Sequence, residues 1–129
     1  MHNLISFGYV ALGGAAGASL RYFLTLVFLR NPSTLPLATL VSNLAGCFLL
    51  GFFLQIGLSA TMQHHAARLL LATGFCGGFT TMSTFVLELS DYLKTDQPFN
   101  ASIYFVMTLA GAMVSFYVGI AAARVIIRQ

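Results

Sequence analysis

Charge is the scarcest property of this 129-residue sequence. Six Lys and Arg residues and three Asp and Glu residues make up 7% of the chain, whereas 58% of the residues are hydrophobic. Soluble domains carry about 25% charged residues, so this composition excludes an ordinary soluble protein and indicates a membrane protein. The charges also leave three uncharged intervals, 31–67, 69–87 and 97–123, each at least as long as the ~18 residues that suggest a spanning helix.

Motifs of catalysis and of nucleic-acid binding are missing as well. The sequence has no phosphate-binding loop, no nucleophile elbow and no pair of carboxylates deep in an apolar segment, so we do not expect an enzyme. Its basic residues are scattered singly and form no patch for nucleic acid. His2, His64 and His65 lack supporting ligands and are weak evidence for a metal site. Cys47 and Cys76 lie in apolar segments and are expected to be free thiols.

Turn signals divide the remaining sequence at 30–36, 59–65 and 94–98. The N-terminus lacks the basic region of a removable signal peptide, so the first apolar segment is expected to be a permanent span. We therefore predict an all-α integral membrane protein with one domain over residues 1–129. Its four transmembrane helices are predicted at approximately 4–29, 37–58, 66–93 and 99–124.

The third predicted span contains an interruption. Residues Thr73–Phe85 (TGFCGGFTTMSTF) combine a glycine pair with several hydroxyls, and the break is predicted near Gly77 and Gly78. Backbone groups freed within a membrane cost several kcal/mol each unless protein, water or an ion satisfies them. Thr80 and Thr81 suit the start of the helix that follows. The segment therefore indicates a site for an ion or a substrate.

Basic residues do not distinguish the two ends of the predicted bundle. Three lie toward each end, Arg68, Arg124 and Arg128 against Arg21, Arg30 and Lys94. Basic residues normally accumulate on the cytoplasmic side and set the orientation, so this chain has almost no preference. Two oppositely inserted copies could then pair about an axis in the membrane plane. The alternative is that another signal fixes one orientation.

Small and polar residues mark the first two helices. Gly13, Gly14 and Gly17 form a face that allows another helix to approach closely, and packing alone explains them. Asn43 places a carboxamide in the middle of the second helix, where it needs partners and offers N–H donors to an anion. A contact between helices and a place in a pore are both consistent with Asn43.

Two polar stripes follow helical spacing beyond the interruption. Thr80, Thr84 and Glu88 recur every four residues and are predicted to share one face. A hydroxyl row with a glycine gap runs along the fourth helix: Tyr104, Thr108, Gly111 and Ser115. The stripes are placed to face each other across a narrow polar path. The alternative is that each hydroxyl bonds only to its own helix backbone.

Two charged residues near the polar stripes each allow two interpretations. Glu88 either faces a cavity, a cation or a proton path, or reaches interfacial water beside Asp91, Lys94 and Asp96. Arg21 either extends to the lipid headgroups or raises the anion concentration at a pore entrance. Sequence spacing does not separate these alternatives.

Three segments resemble the small fluoride channels of bacteria, the Fluc or CrcB family, in the same order and over nearly the whole chain. They are Gly13–Tyr22 (GGAAGASLRY), Thr39–Gly46 (TLVSNLAG) and Thr73–Phe85 followed by Glu88. The resemblance implies a multi-pass protein of the bacterial inner membrane. It also implies an antiparallel, dual-topology homodimer of four-helix subunits with two fluoride pathways.

The resemblance also implies roles for individual residues. Backbone carbonyls of Gly77 and Thr80, from both subunits, would hold a structural sodium ion that is not transported, and hard oxygen ligands suit such a cation. Asn43 corresponds to the family's pore asparagine, and Phe85 to the second of two phenylalanines whose ring edges line the fluoride path. The remaining pathway positions are Met82, Ser83, Thr84, Tyr104 and Thr108.

A few residues depart from the family pattern. Met82 stands where the family usually has the first phenylalanine, and it offers polarizable bulk without a ring edge. Ala112 replaces a hydroxyl that some relatives carry, and Ala38 stands where glycine is frequent. These changes bear on the conduction rate more than on family membership.

We expect a passive fluoride-selective channel that lets fluoride leave the cytoplasm and so reduces its toxicity. One alternative is a dual-topology four-helix exporter of small organic cations. Proton-coupled exporters of that type rely on a carboxylate deep in the first helix, where this chain carries only Arg21. A second alternative is a membrane scaffold that transports nothing.

Overall fold

A computed structural model describes residues 2–30, 35–59 and 65–127 of the chain. The described parts are helical and contain no β-strand. Four segments are long and apolar enough to cross a membrane: Asn3–Leu29, Leu37–Gly57, His65–Lys94 and Pro98–Ile127. The prediction of four spanning helices is confirmed, with the last two spans slightly longer than expected. His64 and Arg128 lie outside the described residues, and the antiparallel dimer and the single-domain description remain predictions.

Three of the four spans are continuous helices, and the third is composite. The continuous helices are α1 (His2–Leu29), α2 (Leu37–Ser59) and α6 (Pro98–Ile127). The third span consists of α3 (His65–Arg68), a π-helix (Leu69–Cys76), α4 (Gly77–Phe79) and α5 (Met82–Lys94). A π-helix of eight residues is unusual, because such turns occur mostly as single-turn bulges and frequently at functional sites.

Glycines bring α1 against the first half of the third span. A Cβ atom at Gly13 would collide with the carbonyl oxygen of Leu70, and one at Gly17 would collide with that of Phe75. The contacts therefore advance along both segments in the same direction, so α1 and the π-helix run parallel. Only a residue without a side chain permits this approach, which supports the packing interpretation of the α1 glycines.

Glycines likewise bring α2 against α6. A Cβ at Gly51 would meet the carbonyl oxygen of Phe116, and one at Gly119 would meet that of Phe48. Because successive spans alternate in direction, the ends of the helices collect at two ends of the bundle. We call these the α3 end, where α2 and α6 finish and α3 begins, and the α5 end, where α5 finishes and α6 begins.

The buried core lies toward the α5 end. Leu40, Phe85 and Tyr104 form its centre, and partly buried residues pack around it: Leu35, Leu37, Leu44, Leu89 and Tyr92. This core therefore joins α2, α5 and α6 next to the interruption.

A glycine-free cap ends α5. The N–H of Gln97 donates to the carbonyl of Tyr92 at 2.9 Å, and the N–H of Asp96 donates to that of Leu93 at 3.3 Å. Asp96 has a φ of 55°, the left-handed conformation that this capping motif requires. Pro98 then opens α6, where its fixed φ and missing N–H are tolerated. The tight connection explains why the predicted turn at 94–98 is correct.

Candidate ion pathway at the interrupted helix

The interruption consists of two extended threonines. Thr80 has φ −82° and ψ 154°, and Thr81 has φ −149° and ψ 116°. The glycine pair near which the break was predicted is itself helical, and Phe79 separates it from the first extended threonine. Gly78 instead permits close packing, because a Cβ there would collide with the carbonyl oxygen of Gly14. Thr is well suited to extended backbone because its side chain is β-branched, so the threonines rather than the glycines carry the break.

Asn43 bonds both backbone groups of Thr81. The Thr81 N–H donates to Asn43 Oδ1 at 2.7 Å, and Asn43 Nδ2 donates to the Thr81 carbonyl at 3.2 Å. Both residues are buried, so neither backbone group can rely on water. The structure thus places Asn43 in a contact between α2 and the interruption. The Nδ2 amide group has two N–H donors, and the second is available to another acceptor.

Thr81 also caps the helix that follows. Its Oγ1 accepts a hydrogen bond from the Thr84 N–H at 3.2 Å, as an N-cap residue does. The same hydroxyl donates to Thr84 Oγ1 at 3.0 Å and lies 3.2 Å from Ser83 Oγ. The prediction that a threonine starts the second half of the span is confirmed, and three hydroxyls converge at that start.

The two extended residues redirect two backbone donors. In a continuous helix the Thr81 N–H would bond to the Gly77 carbonyl, but here it bonds to Asn43. The Thr84 N–H would bond to the Thr80 carbonyl, but here it bonds to the Thr81 hydroxyl. The carbonyls of Gly77 and Thr80 therefore lose their usual helical donors in the middle of a span. Such groups need another partner when they lie away from water.

Arg21 reaches the interruption from α1. Its Nε donates to the Gly78 carbonyl at 3.2 Å, in a half-buried environment. The guanidinium is therefore held beside the break and does not extend freely toward the headgroups. Its fixed charge lies close to the carbonyls of the neighbouring turn.

Glu88 is bound by hydroxyls from two other helices. Thr39 Oγ1 on α2 donates to Oε1 at 2.8 Å, and the Tyr104 hydroxyl on α6 donates to Oε2 at 2.6 Å. Tyr104 is fully buried. Of the two interpretations that the sequence leaves open, the structure favours a carboxylate inside the bundle over one that merely reaches interfacial water. Hydrogen bonds to a charged acceptor are roughly twice as strong as neutral ones.

Phe85 and Met82, which are predicted to occupy the positions of the family's two pore phenylalanines, have different surroundings. Phe85 is 3% exposed, and its ring centroid lies 5.1 Å from that of Tyr104. Met82 is 63% exposed. Within one subunit Phe85 is therefore part of the core beside Glu88, whereas Met82 points away from it. Ser83 is exposed and Thr84 is half-buried.

Among the described residues, the predicted polar stripes share one hydrogen bond, between Glu88 and Tyr104. Thr80 does not share a helical face with Thr84 and Glu88, because it precedes α5 and is extended. That part of the prediction is wrong. The reason is that the four-residue spacing was counted across residues that leave the helix.

The hydroxyl row of α6 turns toward α2. Gly111 packs against the side chain of Leu44, 3.4 Å from the position of an added Cβ. Thr108 is buried, and its Oγ1 has no hydrogen-bond partner among the described residues. Ser115 is half-buried farther along the same helix. At Gly111 the row thus faces α2, beyond the point where Tyr104 meets α5.

The sequence did not predict the individual contacts of three residues at the site. Thr39 binds Glu88, Ser42 Oγ bonds to the Thr39 carbonyl at 3.0 Å, and Gly46 leaves room for the methyl group of Thr80. Thr39 lies one helical turn before Asn43, so both occupy one face of α2. That spacing could have identified Thr39 as a second polar contact.

The sequence comparisons find a family and several relatives. The family described as CrcB-like protein, Camphor Resistance (CrcB), matches residues 8–120. A fluoride-specific ion channel FluC of Prosthecochloris aestuarii is 45% identical over 116 residues, which cover 90% of this chain and 91% of the relative. A protein of that name from Chlorobium phaeobacteroides is 39% identical over 115 residues, covering 89% and 90%. Fluoride-specific ion channel FluC 1 of Moorella thermoacetica is 40% identical over 117 residues, covering 90% and 84%.

Replacing Asn43 by Leu is expected to loosen the interruption. Both backbone groups of Thr81 lose a buried partner, at a cost of about 1–3 kcal/mol each. Hydrogen exchange of peptides that contain Thr81 should become faster, and the protein should unfold at a lower temperature in detergent. Ser42→Ala is the matched control, because the Ser42 hydroxyl bonds within its own helix. Unchanged exchange at Thr81 in Asn43→Leu would contradict this role.

Proposed function

The chain belongs to the CrcB-like protein family, and from that membership we propose that it is a fluoride-selective channel of the bacterial inner membrane. Fluoride would leave the cytoplasm passively, driven by the membrane potential and by accumulation of hydrogen fluoride, which reduces fluoride toxicity. The observation that carries the proposal is a set of buried amide and hydroxyl groups inside an otherwise apolar four-helix bundle. The names of the relatives support the same ion.

Fluoride is small and strongly hydrated, so a pathway must replace its water with N–H and O–H donors. Asn43 retains one N–H, and the buried Thr108 hydroxyl is without a protein partner among the described residues. The hydroxyls of Ser83 and Thr84 lie at the start of α5. These groups are proposed to line the path, together with Met82 at the exposed position before them.

Farther toward the α5 end, the proposed path continues past Phe85 and Tyr104. An aromatic ring edge carries the positive part of the ring quadrupole and can face an anion. Glu88 would orient the Tyr104 hydroxyl rather than meet the anion with its own charge, since it accepts from Tyr104 and from Thr39. Arg21 is retained as the residue that raises the local anion concentration where fluoride enters the path, and its contact with Gly78 would place that entrance close to the interruption.

A structural sodium ion is proposed at the carbonyls of Gly77 and Thr80. Support comes from the two redirected donors, which deprive those carbonyls of their helical partners. Gly77 is also exposed in the described part of the chain, so a further partner can reach this turn. Oxygen ligands suit a hard cation. The ion would hold the interruption in place and would not be transported.

A second copy in the opposite orientation is proposed to complete this sodium site. Thr73, Gly77 and Ser83 are exposed at the middle of the third span, where lipid would be a poor environment for a hydroxyl or a free carbonyl. A two-fold axis through the interruption would bring the same carbonyls from two chains together. The even division of basic residues allows the two orientations to coexist.

The exporter of small organic cations is the less favoured alternative. α1 contains no carboxylate, and Glu88 on α5 is engaged by two hydroxyls. A transported cation would have to displace both hydroxyls to reach this carboxylate.

Replacing Phe85 by Ile should reduce fluoride efflux from loaded liposomes by about tenfold, which corresponds to a loss of ~1.4 kcal/mol in ion stabilisation. The side chain keeps its apolar bulk but loses the ring edge. Phe7→Ile is the matched control, because Phe7 is 73% exposed on α1. Size-exclusion chromatography checks that each variant remains assembled. Equal efflux from Phe85→Ile and the unmodified protein would remove Phe85 from the pathway.

Tags at both termini should reveal two orientations in roughly equal numbers. The measurement is accessibility of each tag to a membrane-impermeant reagent in intact and in opened cells. A variant with added positive charge at the α5 end, Asp96→Lys with Gln97→Lys, should shift the population toward one orientation. A single orientation in the unmodified chain would contradict the dual-topology dimer.

A further inference from the structure

The two ends of the bundle differ in charge when carboxylates are considered together with basic residues. The sequence has three Asp and Glu residues, Glu88, Asp91 and Asp96, and all three lie on α5 or directly after it. At that end Lys94 has a partner, with its Nζ 3.5 Å from Asp91 Oδ1. Arg68 lies in the first turn of the same span, at the opposite end of the bundle. No carboxylate side chain of its own chain can reach it.

Arg68 lies at the mouth of an apolar groove. The last turns of α2 form one wall, and α3 with the start of the π-helix forms the other. The cavity has a volume of about 140 Å³ and is lined by Phe53, Ile56, Gly57, Ala67, Arg68, Leu71 and Ala72. Gly57 leaves it open, since an added Cβ there would meet nothing within 4 Å. The groove thus combines larger apolar side chains with small residues that make room between them.

The position of the groove along the helices sets its environment. It lies where α2 ends and the third span begins, so in a bundle that crosses the membrane it would lie near the boundary between lipid headgroups and acyl chains. A guanidinium at that depth can bind a phosphate through two parallel N–H bonds. The apolar walls would be in contact with hydrocarbon.

We propose that this groove binds one anionic phospholipid. The phosphate binds Arg68, and one acyl chain lies against Phe53, Ile56 and Leu71. Charge complementarity selects the lipid, because Arg68 is exposed and its own chain supplies no carboxylate side chain at this end. This site is separate from the ion pathway, and its occupation does not depend on fluoride conduction.

Arg124 provides an internal comparison at the same end. It borders a cavity whose described lining residues all belong to α6: Tyr117, Ile120, Ala121, Arg124 and Val125. That surface has the same charge, but the described part of the chain supplies no second helix as an opposite wall. Arg124→Gln is therefore the matched control for Arg68→Gln.

The test is native mass spectrometry of the full-length protein with phosphatidylglycerol or phosphatidylcholine of identical acyl chains. The unmodified protein should prefer phosphatidylglycerol. Arg68→Gln should weaken its binding about fivefold, because the lipid held in the groove loses a charge contact worth about 1 kcal/mol. Arg124→Gln should leave the affinity within about twofold. Gly57→Leu, which fills the groove and keeps Arg68, should also weaken binding, with Ala72→Leu as a replacement if that variant does not fold.

Soluble glycerol phosphate separates a lipid site from a site for free phosphate. It should not displace phosphatidylglycerol, because it has no acyl chain for the groove. Displacement by glycerol phosphate, equal binding of the two lipids, or equal losses in Arg68→Gln and Arg124→Gln would each overturn the proposal. It would also be overturned if the groove variants changed only the proportion of dimer, since a second copy would then be the occupant.

Discussion

The hydrogen bonds between the Asn43 carboxamide and the backbone of Thr81 hold the interruption of the third span open. They satisfy both polar groups of one extended residue in a buried position. They also take the Thr81 N–H away from the Gly77 carbonyl, so the same contact removes the helical donor of a carbonyl one turn earlier. The Thr81 hydroxyl repeats this effect by taking the Thr84 N–H from the Thr80 carbonyl. A polar residue on α2 thus determines which carbonyl of the neighbouring span loses its helical donor.

Close helix packing keeps this arrangement in register. Glycines let α1 approach the π-helix and α4, and they let α2 approach α6. Arg21 is thereby brought to the Gly78 carbonyl, and Thr39 and Tyr104 are brought to the two oxygens of Glu88. Replacing a glycine at these contacts would displace polar partners that lie one or two turns away. The glycines are therefore part of the site although they bind nothing themselves.

Much of the fold follows from the sequence, and the details of the site follow less well. Long uncharged intervals and turn signals predict four spans, and the hydroxyl that caps α5 can be recognised from Thr80 and Thr81. The exact break cannot, because glycine serves both as a helix breaker and as a packing residue, and Gly78 is used for packing. The partners of Asn43 and Glu88 cannot be read from the sequence either. Asn43 bonds to a residue about 40 positions away, and Glu88 to one about 50 positions away, each on a different helical segment. Such contacts depend on how helices pack, which local spacing does not encode.

The central claim is that the buried donors of this bundle form a path for fluoride. Its most direct test is the release of fluoride and of chloride from liposomes that contain the unmodified protein, each followed with an ion-selective electrode. The account predicts rapid fluoride release with chloride release no faster than from empty vesicles. Fluoride release equal to that of empty vesicles, from protein that remains folded, would contradict it.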